Sequence, residues 1–181
     1  MLKILVVEDS AIHQQAARLQ LAGHNLTIVA TCQEAQSQLK EAWDVVLTDM
    51  MIPWTDGCEE MPLGMTLVML ALKSGVKKIA LVTDANHHEN LNSRALDVFR
   101  SVDPRKGEWR KGFVVGDSEV IVTNGGGRTA DATTLQILSS EDLYSEEGKV
   151  KYPLTGGPYN SKFGNTTRIK CWAEVLKVLT S

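Results

Sequence analysis

Short apolar runs and amphipathic stretches take turns along the first hundred residues. Lys3–Val7 (KILVV) is apolar and rich in β-branched residues, the pattern of a strand buried on both faces. Ser10 can cap a helix reaching about Gly23, with Ala11, Ala16 and Leu19 at helical spacing. Asn25–Ala30 predicts a second strand, Gln33–Glu41 a second helix, and Asp44–Thr48 (DVVLT) a third, buried strand. A loop marked by Pro53, Gly57 and Pro62 leads into a helix over about Gly64–Ser74. Lys78–Thr83 (KIALVT) predicts a fourth strand and Asn90–Arg100 a further helix. Alternation of this kind with short connections predicts a parallel sheet covered by helices on both faces.

Beyond Arg100 the pattern changes. Asp103-Pro104 and the charged stretch Arg105–Lys111 predict a connector. Phe113–Val115 and Glu119–Thr123 flank Gly116-Asp117-Ser118 and predict a β-hairpin. The run Asn124–Gly127 is a loop, without the lysine and spacing of a phosphate-cradling P-loop. Thr133–Tyr144 predicts a helix, Lys149–Asn165 is turn-rich, and Trp172–Leu179 (WAEVLKVL) returns to helical spacing. The chain is expected to form one domain over 1–181. Its core would be about 1–100 plus a C-terminal helix at about 169–180, with an insertion at about 101–168.

Composition narrows the classes. With 43% hydrophobic and 23% charged residues in 181, the chain reads as a soluble globular domain. A net charge of −3 gives no electrostatic ground for nucleic-acid binding. Cys32, Cys58 and Cys171 are odd in number and lack CxxC spacing, which predicts reduced thiols rather than a disulfide or zinc framework. The apolar run Ile4–Val7 is too short for a signal peptide or membrane span, so a cytoplasmic protein without membrane contact is expected. Trp43 and Trp172 lie on or beside helical segments and are expected to pack in the core or an interface.

The candidate chemistry sits at strand ends. The first strand runs into Glu8-Asp9, the third into Asp49 and the fourth into Thr83-Asp84. In open parallel sheets, functional groups gather outside the carboxyl ends of strands where the strand order reverses. With order 2-1-3-4-5, strands one, three and four are neighbours, and their terminal residues share one pocket. Clustered carboxylates repel, so Glu8, Asp9 and Asp49 call for a cation, and hard oxygen ligands suit Mg²⁺. The ion can offset charge as a phosphoryl group moves, while the Thr83 hydroxyl donates to a phosphoryl oxygen.

VVEDS, DVVLTDMMIP and ALVT together resemble the receiver domain of two-component response regulators, over roughly residues 1–100. The resemblance implies a doubly wound, flavodoxin/CheY-like α/β fold with an inserted β-hairpin and loop-rich segment before the last helix. It implies Asp49 as phosphoacceptor, and Glu8, Asp9, Asp49 and the Met51 carbonyl as Mg²⁺ ligands. Thr83 would be the switch hydroxyl. The family carries a Lys-Pro after its fifth strand; no proline here follows a lysine. Lys170, in TRIKCW, is the first candidate for that ammonium, with Lys106 and Lys162 as alternatives. Asp84 stands where the family has a small residue, and an acid there could repel phosphate. Asp84 and His87, with His88 beside it, would form a polar rim. The fifth strand is either Glu119–Thr123 or a segment near Arg168–Lys170, and the aromatic switch residue of that strand is unassigned.

As implied, the partners are a histidine kinase or phosphotransfer protein as donor and a downstream protein, with homodimerisation left open. The activity would be that of a phosphoacceptor rather than an enzyme. Two alternatives stand beside this: a pseudo-receiver that binds without being phosphorylated, and a phosphatase with an aspartyl nucleophile. The phosphatase pattern needs a second acid two residues after Asp9, where this chain has Ala11.

Overall fold

The computed structural model describes residues 1–83, 99, 102–103, 108–109, 112–124, 127–137 and 166–181. Five parallel strands form the centre of one sheet: β1 (Lys3–Val7), β2 (Asn25–Val29), β3 (Val45–Thr48), β6 (Lys78–Thr83) and β10 (Ser118–Asn124). Between β3 and β6 lie two short strands, β4 (Ile52–Pro53) and β5 (Glu60–Met61). After β6 come β7 (Val102–Asp103), β8 (Glu108–Trp109) and β9 (Phe113–Val115). The sheet order is β2-β1-β3-β6-β10-β9, with β9 antiparallel on β10 at the edge. It is the doubly wound order expected, with the reversal between β1 and β3.

Alternation along the strands splits the core in two. Leu5, Val7, Val46, Ile79, Leu81, Val120 and Val122 face one side, under α2 (Cys32–Gln38) and α3 (Gly64–Lys73). Ile4, Val6, Val45, Leu47, Ala80, Val82 and Ile121 face the other, under α1 (Ala11–Gln20) and the last helix, α4 (Trp172–Thr180). Each Val, Leu or Ile sealed this way contributes about 1.5–3 kcal/mol relative to an exposed one.

Local chemistry sets the helix ends. At α2, Thr31 Oγ1 accepts from the Glu34 amide, and the Glu34 carboxylate accepts from the Thr31 amide, a complete capping box. The helix ends at Gln38, short of the expected Glu41, and the indole of Trp43 donates to the Gln38 carbonyl at 2.7 Å. At α1 the expected side-chain cap by Ser10 does not form. The Ser10 backbone amide donates to Glu8 Oε1 at 3.0 Å.

The hairpin expected after Gly112 is present, and its second arm is the fifth parallel strand. Gly116, at φ +60, and Asp117 form the two-residue turn between β9 and β10. Thus the stretch set aside as insertion contains a central strand, Ser118–Asn124. Its residues 120–123 are buried, as an interior strand requires. The other candidate, near Arg168–Lys170, lies on β12 (Thr166–Lys170), which pairs antiparallel with β11 (Gly127–Asp131) in a separate ribbon.

The loop expected around Pro53 and Gly57 contains the small antiparallel β4–β5 hairpin, with Ile52 opposite Met61 and Pro53 opposite Glu60. Where a helix was expected from Thr133, residues 133–134 form a turn around Asp131 and Ile137 bridges Ala130. The rest of that helix, the expected helix over Asn90–Arg100 apart from Phe99, and the turn-rich Lys149–Asn165 lie outside the described residues. Among the described residues, no helix is long and apolar enough to cross a membrane.

Candidate functional site

The ladder hydrogen bonds carry the strand ends to one place. The Glu8 amide donates to Val29 O at 3.0 Å, extending the β1–β2 pairing by one step. The Asp49 amide donates to Val7 O at 2.9 Å and does the same for β1–β3. Carboxylate oxygens of Glu8, Asp9 and Asp49 then all lie within 4.8 Å of one another. Thr83, buried, ends β6 beside β3, its backbone paired with Asn124 of β10. Two packing details fix Asp49 from behind. Thr48 Oγ1 donates to Asp49 O at 3.0 Å, and the Gly64 amide donates to Met50 O at 3.0 Å. Gly64 has to be glycine here: a Cβ on it would stand 2.1 Å from Asp49 O.

Lys170 enters this cluster from the far end of the chain. Its Nζ donates to Glu8 Oε2 at 2.5 Å and pairs with Asp49 Oδ1 at 2.9 Å, with no exposure of its own. The strand-to-helix junction that presents it is held against α1. Gln20 Nε2 donates to Lys170 O at 3.0 Å, Gln20 Oε1 accepts from the Ala173 amide at 3.2 Å, and the Trp172 indole donates to His13 O at 3.1 Å. Trp172 is thus a core residue, as expected, and also anchors the lysine's strand.

Among the described residues, the Lys170 ammonium faces two carboxylates, Glu8 and Asp49, all three nearly closed to solvent. Burial pushes the Glu8 carboxyl up to about 7; Lys170 opposes the shift, and the Asp49 charge adds to it. Asp9 is the more open acid, and Glu60 of β5 lies near enough to feel its charge. The Glu60 carboxyl is raised by burial first, then by the Asp9 charge and by Asp49, with Lys170 opposing.

The structure therefore brings together Glu8, Asp9, Asp49 and Lys170, and sets Thr83 at the end of the neighbouring strand. Met51 lies two residues past Asp49, half-buried at the entry to β4. Asp84, His87 and His88 lie outside the described residues, as do Lys106 and Lys162. Sequence reasoning missed Glu60. Its stretch carries turn residues and no strand-length apolar run, so nothing local announces that Pro53 and Glu60 pair. Three carboxylates with oxygens this close are a hard-oxygen donor set that fits a divalent cation such as Mg²⁺.

The strand order, register and two-sided core make this a doubly wound parallel α/β domain of the flavodoxin/CheY-like kind. No family model matches the chain, and no curated protein matches it. Among solved structures it is similar to a two-component response regulator from Clostridium difficile, at 20% identity and a TM-score of 0.39. That similarity covers 52% of this chain and 76% of the other.

Proposed function

We propose that the chain is a receiver-type signalling switch in which Asp49 accepts a phosphoryl group from a phosphohistidine donor, a histidine kinase or phosphotransfer protein. The observation that carries this reading is Lys170, fully buried and paired at once with Glu8 and Asp49. A buried ammonium held against an acid at a sheet's carboxyl edge is poised for an anion to replace one of its carboxylate partners.

In the proposed transfer an Asp49 carboxylate oxygen attacks phosphorus. The P–N bond to the donor imidazole breaks, its electron pair stays on that nitrogen, and a P–O bond forms. Mg²⁺, held by Glu8, Asp9 and Asp49 with the Met51 carbonyl, would supply charge neutralisation at the phosphoryl oxygens. Lys170 moves from the Asp49 carboxylate to a phosphoryl oxygen, and the Thr83 hydroxyl donates to another. Covalent phosphate adds about −1.5 to −2 charges at neutral pH, a large change for a buried pocket. That change biases the position of β6 and its neighbours, and a downstream protein reads the altered surface.

Against the pseudo-receiver alternative stands the lysine that reaches Asp49. The test is acetyl phosphate with Mg²⁺ followed by intact mass. A phosphoryl adduct of about 80 Da, the mass of HPO₃, is expected on the parent and absent from Asp49→Asn. Mg²⁺ binding without an adduct would select the pseudo-receiver, and sustained turnover of phosphate esters the phosphatase.

A further inference from the structure

Glu8 and Asp49 are placed by the ladder of the central sheet, whereas Lys170 arrives on β12, which pairs with β11 in a ribbon of its own. A lysine ammonium rides on a long flexible stem, so it meets fixed carboxylates reliably only when its own backbone is held. Helix α1 does this. Gln20, the last residue of α1, straddles the junction between β12 and α4: its Nε2 donates to Lys170 O at 3.0 Å and its Oε1 accepts from the Ala173 amide at 3.2 Å. Earlier on the same helix, Gln14 Nε2 donates to Glu8 O at 2.7 Å. The His13 carbonyl accepts from the Trp172 indole at 3.1 Å, and the ring of that tryptophan lies 5.7 Å from the Lys170 ammonium, within cation–π range. One helix thus grips the backbone of both members of the Glu8–Lys170 ion pair.

We propose that Gln20 is a positioning residue for the Lys170 ammonium: by clamping the β12–α4 junction to α1, it sets how far the ammonium reaches toward Asp49 and a phosphoryl group there. This rests on the receiver reading and deepens it, giving the placement of the lysine to a side chain away from the strand ends. Two bonds from one side-chain amide fix the junction in angle as well as in distance, and a glutamine supplies both the donor and the acceptor. A glutamate would keep the acceptor for Ala173 but set a carboxylate against the Lys170 carbonyl. A methionine of similar length would supply neither bond at useful strength.

The experiment compares the parent with Gln20→Met, Gln20→Glu and Gln15→Met by two readouts. NMR of protein carrying isotope-labelled lysine follows the Lys170 ammonium, its signal assigned by its loss in Lys170→Arg. Intact mass follows the rate of adduct formation with acetyl phosphate and Mg²⁺. Both Gln20 variants are expected to move the ammonium signal toward that of exposed lysines. Both should slow adduct formation roughly tenfold, inside the roughly hundredfold that a misplacement of about 1 Å can cost. Gln20→Glu, which keeps one of the two bonds, decides the matter where Gln20→Met fails to fold. Gln15→Met makes the same change on the exposed side of α1 and is expected to match the parent. Parental values of either readout in the folded Gln20 variants would make Gln20 a purely structural residue, however much urea stability is lost, and would overturn the proposal. An equal effect in Gln15→Met would overturn it too. A parent that takes no adduct on Asp49 would instead overturn the underlying reading, and the proposal with it.

Discussion

The two edges of the central sheet use the same pair of ions and put them to different ends. At the amino edge, Lys3 pairs with Glu41 at 2.7 Å, Lys77 with Asp117 at 3.1 Å and Lys78 with Glu119 at 2.8 Å, every side chain at least a quarter exposed. At the carboxyl edge Lys170 pairs with Glu8 and Asp49 at 2.5 and 2.9 Å, with side-chain exposures of 0%, 1% and 9%. Distances are alike; solvent is not. Water and salt screen the first set, and each pair contributes about 0–1 kcal/mol. In the second set desolvation is large for every member, so each ion depends on the others remaining in place. One edge is a solvated rim. The other holds unspent electrostatic free energy that a phosphoryl group or a cation can redistribute.

The sharpest way to break this contrast is to remove the shared ammonium. Lys170→Met removes the ammonium that pairs with both Glu8 and Asp49, and should cost about 3–5 kcal/mol in urea unfolding with chelator present. Mg²⁺ should restore part of that loss. A cost below about 1 kcal/mol would put Lys170 on a level with the amino-edge lysines.

The second test is pH. The folded Glu8 carboxyl sits at about 7, above its ordinary 4.5, so the native state holds this proton more tightly than the unfolded chain. The associated stabilisation is complete below about pH 4.5 and gone above about pH 7. Relative to Glu8→Gln, the parent should lose on the order of 3 kcal/mol across that window. A constant difference between the two proteins, from pH 4.5 to 7, would mean that Glu8 is ionised throughout.

The smallest effect belongs to the amino edge. Lys78→Ala should shift stability by about 0.2–1 kcal/mol, and the shift should shrink as salt rises. A larger, salt-insensitive effect would make the two edges equivalent.

Much of the architecture is legible because it depends on local pattern. KILVV, DVVLT and KIALVT are continuous apolar runs, and each ends in a polar residue where the ladder stops. Glu8, Asp9, Asp49 and Thr83 could therefore be placed before any contact was known, since strand order alone makes those ends neighbours. Boundaries moved where a side chain chose an unexpected partner. The Trp43 indole closed α2 at Gln38. Glu60 stayed hidden because a two-residue strand leaves no periodic trace.

The amino-acid sequence by itself determined the alternating α/β plan and the acids and hydroxyl at its strand ends, because buried strands and amphipathic helices write their period into neighbouring residues. Only the tertiary structure decided that Ser118–Asn124 is the fifth strand and that Lys170 meets Asp49. Both choices are pairings between distant segments: β10 with β6, and β12 with β11 to bring the lysine back across more than a hundred residues from Asp49. Such pairings are selected by the burial and ion pairing of the whole fold, and no local spacing encodes them.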